Sequence, residues 1–172
     1  PSSLNSVTRV APVHAISIEE MIAKSKTDRL AHLESQAMEA LKIAAENFDN
    51  AVFPNAMIVG DCIITHLLHK LDYLESGKVK IMVVDTFHLF DSTMPFLNEL
   101  ESKYGFKANI FHAADCKDKA EYESKYGEAL WTVNVEEYDR ICKVEPFQRG
   151  LKTLNTDVMI NGRRRDHGAE RA

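Results

Sequence analysis

The 172-residue sequence contains no hydrophobic run near the roughly 20 residues that span a bilayer, so no membrane segment is expected. Cysteine is scarce. Cys62, Cys116 and Cys142 are an odd number without CxxC spacing, which argues against a disulfide framework, a zinc ribbon or a four-cysteine cluster, and points to a reducing compartment. GxxxxGK[ST] is missing as well: the Gly77–Lys78 pair precedes a strand-like run instead of a helix, so there is no Walker-type phosphate loop. Positive charge is thin over most of the chain, whose net charge is −5. A broad nucleic-acid surface is thereby excluded. The first twenty residues lack the charged-then-apolar order of a signal peptide, and the start on Pro1 leaves room for a segment upstream.

What is present has the composition of an ordinary globular protein, 45% hydrophobic and 27% charged, and its length fits one domain with a single core. Residues 28–47 place Leu30, Leu33, Ala37, Ala40, Leu41 and Ala44 at helical spacing behind Asp28, an expected N-cap. "AVFPNAMIVG" reads as a buried strand ending at Gly60, with a helix starting at Asp61 and ending at Gly77. "KVKIMVVD" reads as a second strand, and "TMPFLNELESKYG" as a helix capped by Ser92 or Thr93 with a proline in its first turn. "FKANIFHAA" and "TDVMING" are the third and fourth strands, separated by a mainly helical stretch over 117–155. No internal repeat or low-complexity linker appears. Strands alternating with helices predict an α/β fold, a mainly parallel sheet flanked by helices, with ligands beyond the carboxyl ends of the strands.

Three strands end there in suggestive residues. Gly60 and Asp61 stand between a strand and a helix N-terminus, where exposed amides favour phosphate, although a plain turn is the better reading of a lone glycine. Asp61 would repel a phosphate unless it serves as a cap. Asp85 and Thr86 end the second strand, where Asp85 can accept from a ribose hydroxyl, order the loop or merely cap the turn. Lys143, in "CKVEPFQRGL", can point at an anion, while Glu145 and Pro146 read as a helix start. Cys62, His66 and His69 share a helix face at i, i+4 and i+7, but without a fourth ligand beside an apolar run they carry no metal assignment. From Arg140 to Ala172 there are eight Lys or Arg against four Asp or Glu, a net of +4 that leaves −9 for the remainder. Arg163, Arg164, Arg165 and Arg171 follow the last strand, and guanidinium forks suit bidentate binding of phosphate or sulfate oxygens. A local anion site is expected there.

"VVDTFHLFDST", "ESKYGEALW", "YDRICKVEPFQRGLKTLN" and "INGRRRDHGAERA", in that order over about residues 52–172, resemble the phosphoadenylylsulfate (PAPS) and adenylylsulfate (APS) reductases, thiol-dependent enzymes that reduce activated sulfate to sulfite in assimilation. The resemblance implies an adenine-nucleotide α-hydrolase-like fold. It also implies adenosine and phosphate binding by the loops at Asn55–Asp61, including Gly60, and after Asp85, including Thr86. Lys143, Arg164, Arg165 and Arg171 would face the phosphosulfate. In place of the serine-rich loop of many members stands "NAMIVGD", so phosphate hydrogen bonds would come from backbone amides. Cys142 is alone where cluster-bearing members have paired cysteines, which implies a member without an iron–sulfur cluster and with no bound cofactor or metal. The family's nucleophile is a cysteine in an ECGLH-type tail, expected beyond Ala172, so residues 1–172 are expected to bind and not turn over. A thioredoxin-like protein or fused domain, or glutathione, is the implied electron donor, and a homodimer the implied assembly, in the cytoplasm or plastid stroma. No nucleic acid and no membrane partner are implied. Two rivals remain: an ATP-dependent adenylylating enzyme of the same fold, against which the missing SGGxDS-type loop counts, and a non-catalytic adenine-nucleotide-binding module.

Overall fold

A computed structural model describes residues 17–162. The chain divides into two compact units, residues 1–36 and 37–172. In the first, the described residues form the beginning of helix α1 (Ile18–Asn47). This helix starts ten residues before the expected Asp28 because Ser17 and Glu20 form a reciprocal capping box. The Glu20 amide donates to Ser17 Oγ at 3.1 Å and the Ser17 amide to Glu20 Oε2 at 2.9 Å. Ile18, Met21, Ile22, Leu30 and Leu33 are exposed along it.

The second unit is built on a sheet of β1 (Ala51–Pro54), β2 (Val79–Val84), β3 (Asn109–Phe111) and β4 (Val158–Met159). Every pairing is parallel and the order is β3-β2-β1-β4. The expected α/β class holds. Helices α2 (Val59–Lys70), α3 (Thr93–Tyr104) and α7 (Glu145–Thr153) flank the strands. Between β3 and α7 run α4 (Lys119–Tyr126), α5 (Leu130–Val133), α6 (Val135–Asp139) and a π-helical segment, Arg140–Val144.

The period-2 alternation of a strand sorts side chains onto two faces. Phe53, Ile81 and Val83 join Leu68 and Leu97 of α2 and α3 in one cluster, which also takes in Leu41 and Ala45 of α1. Val52 and Met82 face the opposite side, with Leu154, Phe147 and Leu151. A fully buried Leu, Ile or Phe contributes about 1.5–3 kcal/mol relative to exposure. α7 lies close because Gly150 has no side chain: a Cβ there would stand 2.5 Å from Met82 Sδ and 3.0 Å from the Phe111 ring. A third cluster, Ala113, Cys116, Tyr122, Tyr138, Ile141 and Cys142, lies among α4, α6 and the π-helical segment.

Several boundaries differ from the sequence reading; α2 stops at Lys70, well before the expected Gly77. β1 stops at Pro54, so Gly60 is neither a strand end nor a turn residue and lies in the first turn of α2. Asp61 sits inside that turn and is not the N-cap, which is Ile58, extended and without a side-chain capping bond. Ser92 is the N-cap of α3, as expected, without a side-chain capping bond.

Candidate functional site

Because β2 and β3 lie on one side of β1 and β4 on the other, the chain reverses direction at the β1–β4 boundary, where open parallel sheets form a crevice beyond the strand ends. The loops there are held in unusual conformations. After β1, Met57 has φ 59°, a left-handed geometry disfavoured for a bulky side chain. It is fixed from both sides: the Met57 amide donates to Asn55 Oδ1 at 2.7 Å, and the Ala56 amide to Asp61 Oδ2 at 2.8 Å. Asn55 Nδ2 in turn donates to Thr65 Oγ1 at 2.9 Å, whose hydroxyl donates to the Asp61 carbonyl at 2.8 Å. The loop after β2 repeats the device. Phe87 has φ 60°, and its amide donates to Asp85 Oδ1 at 2.8 Å. Strain of this kind persists only where surrounding bonds over-determine it, and it gathers at functional sites.

Between these loops and α7 lies a cleft of 590 Å³ lined by Ala56, Val84, Thr86, Leu89, Lys143, Val144, Phe147, Gln148 and Leu151. Its walls are mainly apolar with a few polar groups, the usual chemistry of a cofactor or nucleotide site. Lys143 reaches the cleft from the π-helical segment, a geometry often found at functional positions. Its ammonium meets Asp139 Oδ1 at 2.5 Å and lies 5.1 Å from the Tyr138 ring centre.

The structure places the expected residues as follows. Thr86 and Lys143 line the same cleft. Asp85 orders its own loop, accepting from the Phe87 amide, while its amide donates to the Phe111 carbonyl at 2.8 Å. Gly60 is exposed at the uncapped start of α2, and an added Cβ would meet nothing within 4 Å. The approach to the helix amides is therefore open. Asp61 is only 6% exposed, and burial raises its carboxyl above the usual range, partly opposed by the Ala56 amide. Its Oδ2 accepts from the Ala56 amide, and a Cβ on Gly162 would stand 3.0 Å from its Oδ1. Arg163, Arg164, Arg165 and Arg171 lie outside the described residues, but Gly162 brings the chain to the start of α2 one residue before they begin. His66 and His69 pack against Tyr104, with ring centres 6.0 and 5.2 Å away.

Several residues escape the sequence reading. Glu145 is bound by Arg149, whose Nε donates to Oε1 at 2.7 Å and whose Nη2 donates to the His112 carbonyl at 2.5 Å. This pair ties α7 to the exit of β3. His88 Nδ1 stands 3.0 Å from the Thr86 carbonyl, and its ring meets Tyr122, Tyr138 and Trp131. The i, i+4 spacing of Glu145 and Arg149 was the one available signal. Cys142 is wholly buried, and burial pushes its thiol up, which makes it a poor nucleophile at neutral pH.

Residues 52–172 match the phosphoadenosine phosphosulfate reductase domain. Among curated proteins, the chain is 34% identical over 97 residues to phosphoadenosine phosphosulfate reductase of Saccharomyces cerevisiae, covering 54% of this chain and 37% of that one. It is 31% identical over 170 residues to phosphoadenosine 5'-phosphosulfate reductase of Cronobacter sakazakii, covering 95% of this chain and 67% of that one. The chain thus spans well under half the length of the yeast relative and about two thirds of the bacterial one. A crystal structure of phosphoadenylyl-sulfate (PAPS) reductase from Candida auris, in a phosphate complex, superposes with a TM-score of 0.70 at 25% identity, covering 88% of this chain and 70% of that one.

Proposed function

The chain belongs to the phosphoadenosine phosphosulfate reductase domain family, and on that premise we propose that it is the nucleotide-binding part of a thiol-dependent reductase of activated sulfate, PAPS in preference to APS. The observation that carries this reading is the cleft itself. It opens beyond the ends of parallel strands, with adenosine-compatible apolar walls and Lys143 at its margin. The reductase names of the relatives support it.

In this reading the apolar walls take the adenosine, and Thr86 and the α2 amides orient ribose and phosphate. Lys143, Arg164, Arg165 and Arg171 neutralise the phosphosulfate, stabilising the leaving phosphate as its charge grows. A cysteine thiolate from a tail beyond Ala172 attacks the sulfur of the sulfate group. An S–S bond forms, the S–O bond to phosphate breaks, and adenosine 3',5'-bisphosphate leaves, or AMP from APS. A second thiol then attacks the cysteine sulfur, expelling sulfite and leaving a disulfide, so two thiols supply the two electrons. The donor, a thioredoxin-like protein or glutathione, and a homodimeric assembly belong to the same proposal. So does the absence of an iron–sulfur cluster, because the segment before Lys143 holds one buried thiol, Cys142, where paired thiols would be needed.

Calorimetry of the chain with adenosine 3',5'-bisphosphate is expected to show one site, weakened more than tenfold in an Arg164→Gln/Arg165→Gln variant. No heat with any adenosine phosphate rejects the reading. A version extended by its natural C-terminal segment is expected to release sulfite from PAPS with a thiol donor and to lack ATP–pyrophosphate exchange. Exchange without sulfite would favour the adenylylating alternative.

A further inference from the structure

The loops after β1 and β2 are built to one plan. Each consists of an Asn or Asp directly after the strand, then a residue that lines the cleft, then an apolar residue in the left-handed region: Asn55–Ala56–Met57 and Asp85–Thr86–Phe87. The Asn55 amide donates to the Met82 carbonyl of β2 and the Asp85 amide to the Phe111 carbonyl of β3, both at 2.8 Å. Each thus prolongs the ladder to the next strand by one bond. Each Oδ1 then accepts from the amide two residues on, Met57 at 2.7 Å and Phe87 at 2.8 Å, the bond by which such side chains stand in for a backbone turn.

The third residue is fixed by its side chain as well. Met57 packs against the cluster that contains Phe53, Ile81 and Val83, while the Phe87 ring lies 5.2 Å from His112 and 5.8 Å from Tyr122. Glycine enters the left-handed region without steric cost, yet neither loop uses it. A side chain is held there against that cost, so the residue between the two anchors has little freedom. In both loops that middle residue, Ala56 or Thr86, faces the nucleotide cleft. Thr86 Oγ1 accepts from the His88 amide at 3.4 Å, which leaves its hydroxyl hydrogen for an acceptor on a ligand.

We propose that Asn55 and Asp85 are positioning residues, twin acceptors that hold Ala56 and Thr86 against the bound nucleotide without touching it themselves. The side chain at each place follows from its other duties. Asn55 is buried and its Nδ2 also donates to Thr65 Oγ1 at 2.9 Å, a bond that a carboxylate cannot make. Asp85 is half-buried and serves as an acceptor alone. This rests on the adenine-nucleotide reading of the cleft and names the residues that set its shape.

The test is calorimetry of the 172-residue chain with adenosine 3',5'-bisphosphate, with thermal melts on the same samples to establish that each variant is folded. Asp85→Ala is expected to weaken binding about tenfold, and Asp85→Asn, which keeps the acceptor, by less than about twofold. Thr86→Val removes the hydroxyl and should lose about as much as Asp85→Ala. Because Asp85 acts through Thr86, the double variant Asp85→Ala/Thr86→Val should lose roughly tenfold to twentyfold, not the roughly hundredfold of independent contacts. Adding Phe87→Gly to Asp85→Ala lets the turn form without strain. It should recover part of the affinity although loss of the ring lowers the melting temperature. Met57→Gly should do the same for Asn55→Ala. Multiplied losses in the double variant would mean that Asp85 touches the ligand itself, and unchanged binding by Asp85→Ala would mean that the loop holds without it. Either result overturns the positioning role and leaves the nucleotide cleft intact, and a loop that glycine fails to rescue overturns it for that loop. No binding by the unmodified chain overturns the reading of the cleft as well.

Discussion

Gly60 and Asp61 are neighbours with opposite duties, and substitution separates them. Gly60 has open space where a side chain would go, and it lies in a helical turn without a positive φ. Gly60→Ala is therefore expected to raise stability by about 0.4–1 kcal/mol by restricting the unfolded chain. Its methyl group would stand in the approach to the α2 amides, so affinity for adenosine 3',5'-bisphosphate should fall. Thermal melts and calorimetry on one sample check the split; affinity unchanged by the methyl group would remove the amides from the site. Asp61 instead holds the loop after β1 to the first turn of α2. Its raised carboxyl means that the folded state binds a proton more readily than the unfolded state. The stabilisation this provides is complete below the ordinary carboxylate value of 3.8 and is lost as pH rises through the folded value. Asn can still accept from the Ala56 amide but cannot titrate. The melting-temperature difference, wild type minus Asp61→Asn, should accordingly shrink between pH 4 and 7, and a difference that grows would contradict the assignment.

At the scale of elements, α7 matters because it brings Phe147, Gln148 and Leu151 to the cleft. Gly150 permits its approach to Met82 and Phe111. Gly150→Val should cost about 1–3 kcal/mol through overpacking and weaken nucleotide binding with it. Adding Met82→Ala, which removes the sulfur that the new Cβ would meet, should restore part of the melting temperature. The sequence carries the strand and helix succession well, because Phe53, Ile81 and Val83 on one face alternate with Val52 and Met82 on the other in apolar runs bounded by breakers. It misplaces the end of β1 since Met57, Ile58 and Val59 are as apolar as the strand before them. What turns the chain is a polar network, Asn55, Asp61 and Thr65, whose members lie up to ten positions apart. The π-helical segment is equally hidden, because "DRICKVEP" reads as ordinary helix up to its proline. Thr86 and Lys143 are legible as candidates, since each sits in a recognisable motif and both line the cleft.

For the whole molecule the decisive quantity is the unequal spread of charge. A ligand with two anionic groups meets a chain of net −5 at a distance, and a +4 segment set against −9 elsewhere on approach. Long-range repulsion and short-range attraction respond differently to salt, because only charges farther apart than the screening length are silenced. Raising NaCl from about 20 to about 150 mM shortens that length from roughly 20 to 8 Å. The repulsive approach is then largely hidden while contacts within the cleft persist, so the association rate of adenosine 3',5'-bisphosphate should rise with salt. Its dissociation rate should rise too, as the ammonium and guanidinium contacts weaken. Stopped-flow measurements at the two salt concentrations separate these rates. An association rate that falls with salt would mean that the basic C-terminal segment, and not the net charge, governs the field that an approaching nucleotide meets.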